Sequence, residues 1–230
     1  MAALMRFISD NTVAVLAVLC IPVSGVFLTM QREKLRLDKA WKVLAASLVY
    51  VIFGLLSLVI FSVIHDIHTL PHWSIHHQGL LIVFPLFFPL FAKWLKADFL
   101  EVSDALSVPL PGIIAIIRVY CLIRGCDYGR YIPGTQIRWP VREGVILLNF
   151  ACCAVFLLWN RRGHAKGLIF PVYLMFYGAY RIVEVHLRYY DLPAAEDYVL
   201  AILSILAGLF ILMWVDELQR KQTKRIKRGR

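Results

Sequence analysis

Seven apolar runs govern what this chain can fold into. They lie near residues 12–30, 41–64, 79–95, 104–123, 144–159, 167–187 and 197–215. A hydrocarbon layer takes roughly 20 residues of helix to cross, and each run reaches that length or nearly so. Inside hydrocarbon a segment must satisfy its own backbone N–H and C=O groups, which favours the α-helix. The chain is 60% hydrophobic, with a mean hydropathy of +0.69, well above the roughly 45–50% apolar content of soluble domains. The expectation is an all-α integral membrane protein of about seven transmembrane helices. Residues 1–230 form one transmembrane domain, with a short external segment near 124–143 and a basic cytoplasmic tail at 216–230. The first run is read as a retained helix, since no small-residue cleavage site followed by a soluble domain comes after it.

Two successive runs carry helix breakers. The third holds Pro85 and Pro89, and the fourth holds Pro109, Pro111 and Gly112. Such residues are tolerated in membrane helices where neighbours satisfy the freed backbone. Their succession predicts a cavity beside them.

The cations set the orientation. Arg32, Lys34, Arg36, Lys39, Lys42, Lys93, Lys96, Arg161, Arg162, Lys166 and the seven of the tail make 17 of the 25 lysines and arginines. By the positive-inside rule that side is cytoplasmic, which puts the N-terminus outside and the C-terminus inside. The formal charge of +10 would suggest nucleic acid in a soluble protein. Here the bilayer accounts for it better, and no nucleic-acid partner is expected. The other eight cations are Arg6, Arg118, Arg124, Arg130, Arg138, Arg142, Arg181 and Arg188. All are arginine, whose planar fork suits a phosphate or a carboxylate.

The densest of these stretches runs from 118 to 130. It holds Arg118, Arg124, Gly125, Gly129 and Arg130 at the mouth of an apolar segment. A buried arginine at the edge of hydrocarbon requires a partner. Two readings of Arg118 stand: a grip on lipid phosphate, or an ion pair with Glu184, Asp127 or Glu143. In the sixth run Tyr177, Arg181 and Arg188 fall at i, i+4 and i+11, on one helical face, and Glu184 with Arg188 makes an i, i+4 pair. The connection between the second and third runs holds five of the seven histidines: His65, His68, His72, His76 and His77. Metal ligation by His65 and His68 with Asp66, a general base and a plain interfacial loop are its readings. Nothing else completes a metal signature. The five cysteines have no CxxC pair, and Cys121 with Cys126 raises only the question of a disulfide.

Taken together, these elements resemble the prolipoprotein diacylglyceryl transferase family over roughly residues 70–215. The family has seven membrane helices with the N-terminus outside. Its signature G-R-x-G-N-F-x-N-x-E-x-x-G is similar to the segment in which Arg118 takes the arginine and Gly129 the last glycine. Cys121, Arg124 and Cys126 stand where that signature has asparagine, asparagine and glutamate. The family's Y-G-x-x-R-F-x-x-E-x-x-R-x-P-D looks like Tyr177 to Asp191. Tyr177, Gly178, Arg181, Arg188 and Asp191 are in register, and Glu184 is one position early. Its S-F-H-G-G-L segment is similar to residues 75–80, putting His77 on the histidine, or His76 after a shift of one. Its H-P-x-Q-L-Y-E segment is faint around Pro140 and Glu143.

The resemblance implies transfer of a diacylglyceryl group from phosphatidylglycerol to the lipobox cysteine thiol of a prolipoprotein, in a bacterial cytoplasmic (inner) membrane. It implies Arg118 and Arg181 as stabilisers of the departing phosphate, His77 as base and Tyr177 as support. His76, Arg124, Gly125, Gly129, Arg130, Glu143 and Arg188 become substrate-binding candidates. It implies no metal and no redox cofactor. A divergent member that uses another acceptor, or binds lipid without transfer, is the alternative. A small-solute transporter is a further one, although paired halves are absent.

Overall fold

A computed structural model describes residues 12–65, 78–124, 128–163, 166–188 and 195–228. Each of the seven apolar runs is helical over most of its described residues, with turns at Val83 and Val108 and a non-helical start at Gly167 and Leu168. In chain order the helices are α1 (Thr12–Met30), α2 (Ala40–His65), α3 (Gly79–Ile82), α4 (Phe88–Leu95), α5 (Phe99–Ser107), α6 (Pro109–Arg124), α7 (Val141–Arg161), α8 (Ile169–Leu187) and α9 (Ala195–Arg228). Among the described residues there are no β-strands, only two isolated bridges. Among the described residues four stretches are long and apolar enough to cross a membrane: Ala40–Ile64, Phe99–Ile123, Val141–Arg161 and Ala195–Lys221. Val15–Met30 and Gly79–Leu95 are shorter apolar helices. The α8 helix is in neither group; it carries Arg181 and Glu184 in its interior.

The prolines act where the sequence puts them. Pro85 and Pro89 divide the third run into α3, a 3-10 turn at Phe84–Phe87, and α4. In the fourth run Val108 separates α5 from α6. Pro109 has no N–H to offer the carbonyl of Ala105. Gln31 Nε2 donates to that carbonyl at 3.4 Å instead, and the Tyr50 hydroxyl donates to the next one, Leu106 O, at 3.0 Å. Gln31, in the turn after α1, and Tyr50 of α2 thus supply hydrogen bonds to the carbonyls at the break.

The α5–α6 pair is the centre of the bundle. Val102, Ala105, Val108, Leu110, Ile114 and Ala115 are all fully enclosed. An aromatic block beside them packs Tyr50 edge-on to Phe84, with ring centroids 4.8 Å apart, and Phe84 edge-on to Phe88 at 5.5 Å. The outer faces of α7 and α9 expose Leu147, Val155, Phe210 and Met213, as lipid-facing helices should. Along α8 and α9 the backbones approach closely. A Cβ on Gly208 would meet the carbonyl oxygen of Pro171 at 2.7 Å, so only glycine lets α9 lie there.

Two carboxylates fix helix starts. Asp98 caps α5, accepting from the N–H groups of Leu100 and Glu101. Asp104, inside α5 and 1% exposed, reaches out to the start of α8. It accepts from Gly167 N at 2.5 Å and from Ile169 N at 2.9 Å. The depth of α8 in the bundle is therefore tied to α5 by a buried charged cap.

Candidate functional site

The helical spacing of α8 builds the site. Arg181, Glu184 and Arg188 are one turn apart and lie on its buried face. Glu184 Oε2 accepts from Arg181 Nη1 at 2.8 Å. Glu184 Oε1 accepts from Arg188 Nη2 at 2.5 Å and Nε at 3.1 Å. From α6, Arg118 Nη2 lies 3.0 Å from the same Oε1 as an ion pair and donates to Oε2 at 3.4 Å. One carboxylate, its side chain 2% exposed, thus holds three guanidinium groups. Arg118, Arg181 and Arg188 are 3%, 4% and 6% exposed. Of the two readings of Arg118, the ion pair with Glu184 is present.

A second carboxylate comes from α9. Asp197 Oδ1 accepts from Arg181 Nη2 at 2.7 Å, and its side chain is 24% exposed against 2% for Glu184. Among the described residues the cluster holds three cations and two anions, one positive charge in surplus. The Nε–H of Arg181 is buried with no hydrogen-bond partner among the described residues. Charges this deep are stable only when paired or when they hold a ligand.

Tyr177 lies one turn before Arg181 and is 2% exposed. Its ring is edge-on to Tyr180 at 5.1 Å and to Tyr173 at 6.4 Å. Asn149 of α7 joins those two flanking tyrosines. It accepts from the Tyr173 hydroxyl at 2.6 Å and donates to the Tyr180 hydroxyl at 3.3 Å. This polar stitch holds the aromatic stack beside the arginines.

The segment from residue 128 to 140 closes over the end of α8. Arg130 N donates to Leu187 O at 2.8 Å, and Arg130 Nε to Arg188 O at 2.8 Å. Gly129 bridges to Arg188, and Tyr131 to Arg138. A side chain at Gly129 would run into the carbonyl oxygen of Trp139, so glycine is required by this close approach. The guanidinium of Arg138 sits 5.0 Å from the Tyr128 ring centroid and 4.6 Å from that of Tyr131. Arg142 lies over Tyr128 at 4.4 Å. A groove of about 320 Å³ opens beneath, between α7 and α8, lined by Trp139, Val145, Leu148, Tyr180 and Val183, with Glu184 in its wall.

The structure therefore brings Arg118, Tyr177, Arg181 and Arg188 together, with Gly129 and Arg130 packed against the backbone of Arg188. Glu143 stands apart in the first turn of α7, its side chain 45% exposed and 3.8 Å from Arg142. Arg124 is the last residue of α6. His76, His77 and Gly125 lie outside the described residues, as do Cys126 and the other histidines of that connection except His65. Asp197, Asn149 and Asp104 were not singled out from the sequence. Asp104 carried a usable signal, a carboxylate amid apolar neighbours. Asp197 carried none, because an acidic residue in a first helical turn is ordinary.

A family model described as prolipoprotein diacylglyceryl transferase matches residues 13–214 of the chain. Comparison with curated proteins gave no match.

Proposed function

Because the chain belongs to the prolipoprotein diacylglyceryl transferase family, we propose that it moves a diacylglyceryl group from phosphatidylglycerol to the lipobox cysteine thiol of a prolipoprotein. The observation that carries this reading is the buried set of Arg118, Arg181 and Arg188 around Glu184. In the reaction the acceptor thiolate attacks the glycerol carbon that bears the phosphate. A carbon–sulfur bond forms, the carbon–oxygen bond breaks, and its electron pair leaves with glycerol phosphate. The phosphodiester monoanion becomes a phosphomonoester with a second negative charge. Preorganised cations placed where charge develops stabilise such a step, and Arg118 and Arg181 take that role. Tyr177, held by its aromatic neighbours, keeps Arg181 aimed. His77 is the base for the thiol, which is weakly nucleophilic until deprotonated; this role rests on the resemblance. Arg124, Arg130 and Arg188 serve the headgroup from the outer side. The groove above Glu184 is apolar enough to take an acyl chain.

The accompanying topology is seven membrane helices, N-terminus outside and C-terminus inside, in a bacterial inner membrane. The test is purified protein with phosphatidylglycerol and a lipobox peptide, followed by mass spectrometry. The expected product is a peptide carrying one added diacylglyceryl group, absent with Arg181→Ala. No added mass from an active, folded preparation would sink the reading. One observation favours a second reading, a member that uses another acceptor or binds lipid without transfer. Cys121, Arg124 and Cys126 replace three polar signature residues. Bound phosphatidylglycerol without thioether product would move the weight there.

A further inference from the structure

The guanidinium of Arg181 is used unevenly. Its Nη1 is committed to Glu184, deep in the cluster. Its Nε–H and one N–H of Nη2 point in parallel along the other edge, the edge that takes two oxygens of one anion side by side. Of the two nitrogens on that edge, Asp197 meets only Nη2. Its Oδ1 accepts from Nη2 at 2.7 Å, and the Nε–H is left buried with no partner among the described residues. Asp197 is also the most exposed member of the cluster, and it arrives from another helix, in the first turn of α9. A phosphate has the second oxygen that a one-point carboxylate contact lacks. A carboxylate and a phosphate cannot share this edge without like-charge repulsion.

Resting on the phosphate reading of the site, we propose that Asp197 is a displaceable placeholder on Arg181: it occupies the donor phosphate's position in the empty site, yields it on binding, and so sets donor affinity. Glu184 stays in place and keeps the arginines together. The affinity measured for the donor is then the intrinsic one reduced by the fraction of molecules in which Asp197 has let go. Removing the charge of Asp197 weakens the placeholder and raises that fraction.

The experiment is titration of full-length protein in detergent with short-chain phosphatidylglycerol, by calorimetry. The variants are Asp197→Asn, Asp197→Glu, Glu196→Gln and Arg181→Ala, each checked for its unfolding temperature. Asp197→Asn is expected to bind about tenfold more tightly than wild type, and Asp197→Glu to bind like wild type. Glu196→Gln removes the same charge from the neighbouring exposed residue and is expected to change binding less than about twofold. In turnover, Asp197→Asn should lower KM with little change in kcat, the pattern of altered ground-state binding. Binding by Asp197→Asn equal to or weaker than wild type overturns the proposal, as does an equal gain from Glu196→Gln. If Asp197→Asn fails to fold, Asp197→Ser replaces it in the titration, and if both fail to fold, Asp197 is structural and the proposal falls. Wild-type binding abolished by Arg181→Ala, with Asp197→Asn unaltered, removes the placeholder and leaves the phosphate reading standing. No binding by the wild type removes both.

Discussion

Glu184 carries the greatest electrostatic load of any single residue here. It is enclosed, and it is the shared partner of Arg118, Arg181 and Arg188. Taking one partner from a buried ionic group typically costs about 3–5 kcal/mol, because the charge left behind is uncompensated. Glu184→Gln removes the charge common to three cations, so its cost should reach that range. The expected outcome is a much lower unfolding temperature in detergent, with no recovery in Glu184→Asp, whose shorter arm cannot reach all three arginines. Arg118 tests geometry instead of charge. Lysine keeps the cation and loses the fork, so Arg118→Lys should lose nearly as much transfer activity as Arg118→Ala. Near-full turnover by the lysine variant would remove the bidentate role. The presence of Arg118, Arg181 and Arg188 in a buried group was legible in the sequence, since charged residues in apolar runs must find partners. Glu184 was readable as a partner of Arg118 and of Arg188, each separately; that it also takes Arg181 and joins all three was not. Glu184 is one position away from the family glutamate in register, and only the turn of α8 and its approach to α6 show that it gathers the three arginines.

The α8 helix positions the chemistry, and its own position is set at the opposite end. Asp104 accepts from Gly167 N, just before α8, and from Ile169 N, its first residue. A buried charged hydrogen bond of this kind is worth roughly 1.5–3 kcal/mol. Asp104→Ala should leave those amides unpaired. Hydrogen exchange at Gly167 and Ile169 is expected to accelerate, with a smaller effect at the Arg181 end. Unchanged protection would mean that packing alone holds α8. The interrupted helices show how much of an element can be read from composition. Pro85, Pro89 and Pro109 marked the breaks, because proline removes a donor wherever it stands, while Pro111 falls in the first turn of α6, where no donor is missed. What the breaks are filled with was not readable. Gln31 and Tyr50 lie 74 and 56 residues away from the carbonyls they reach, and no local pattern encodes such a distance.

At the scale of the whole molecule, the buried charge cluster, the hairpin around Gly134 and the groove between α7 and α8 all gather at one end of the bundle. The basic loops gather at the other, where Lys34 Nζ donates to Asn160 Oδ1 at 2.6 Å and Asn160 donates to Gln31. This polarity predicts the labelling pattern of single cysteines in a cysteine-free background. A membrane-impermeant maleimide should label Thr135→Cys from outside intact cells, and Arg162→Cys only after the membrane is opened. The reverse pattern would invert the proposed topology. The sequence by itself determined the all-helical, membrane-embedded character, where the helices break and the family. Each of these depends on hydropathy, on backbone chemistry or on a local motif, and all are properties of short windows of chain. Tertiary structure alone decided that Glu184 binds three arginines, that Asp197 takes one edge of Arg181, and that Asp104 holds the start of α8. Those are contacts between residues far apart in the chain, fixed by how close the helix backbones come and by the need to pair every buried charge.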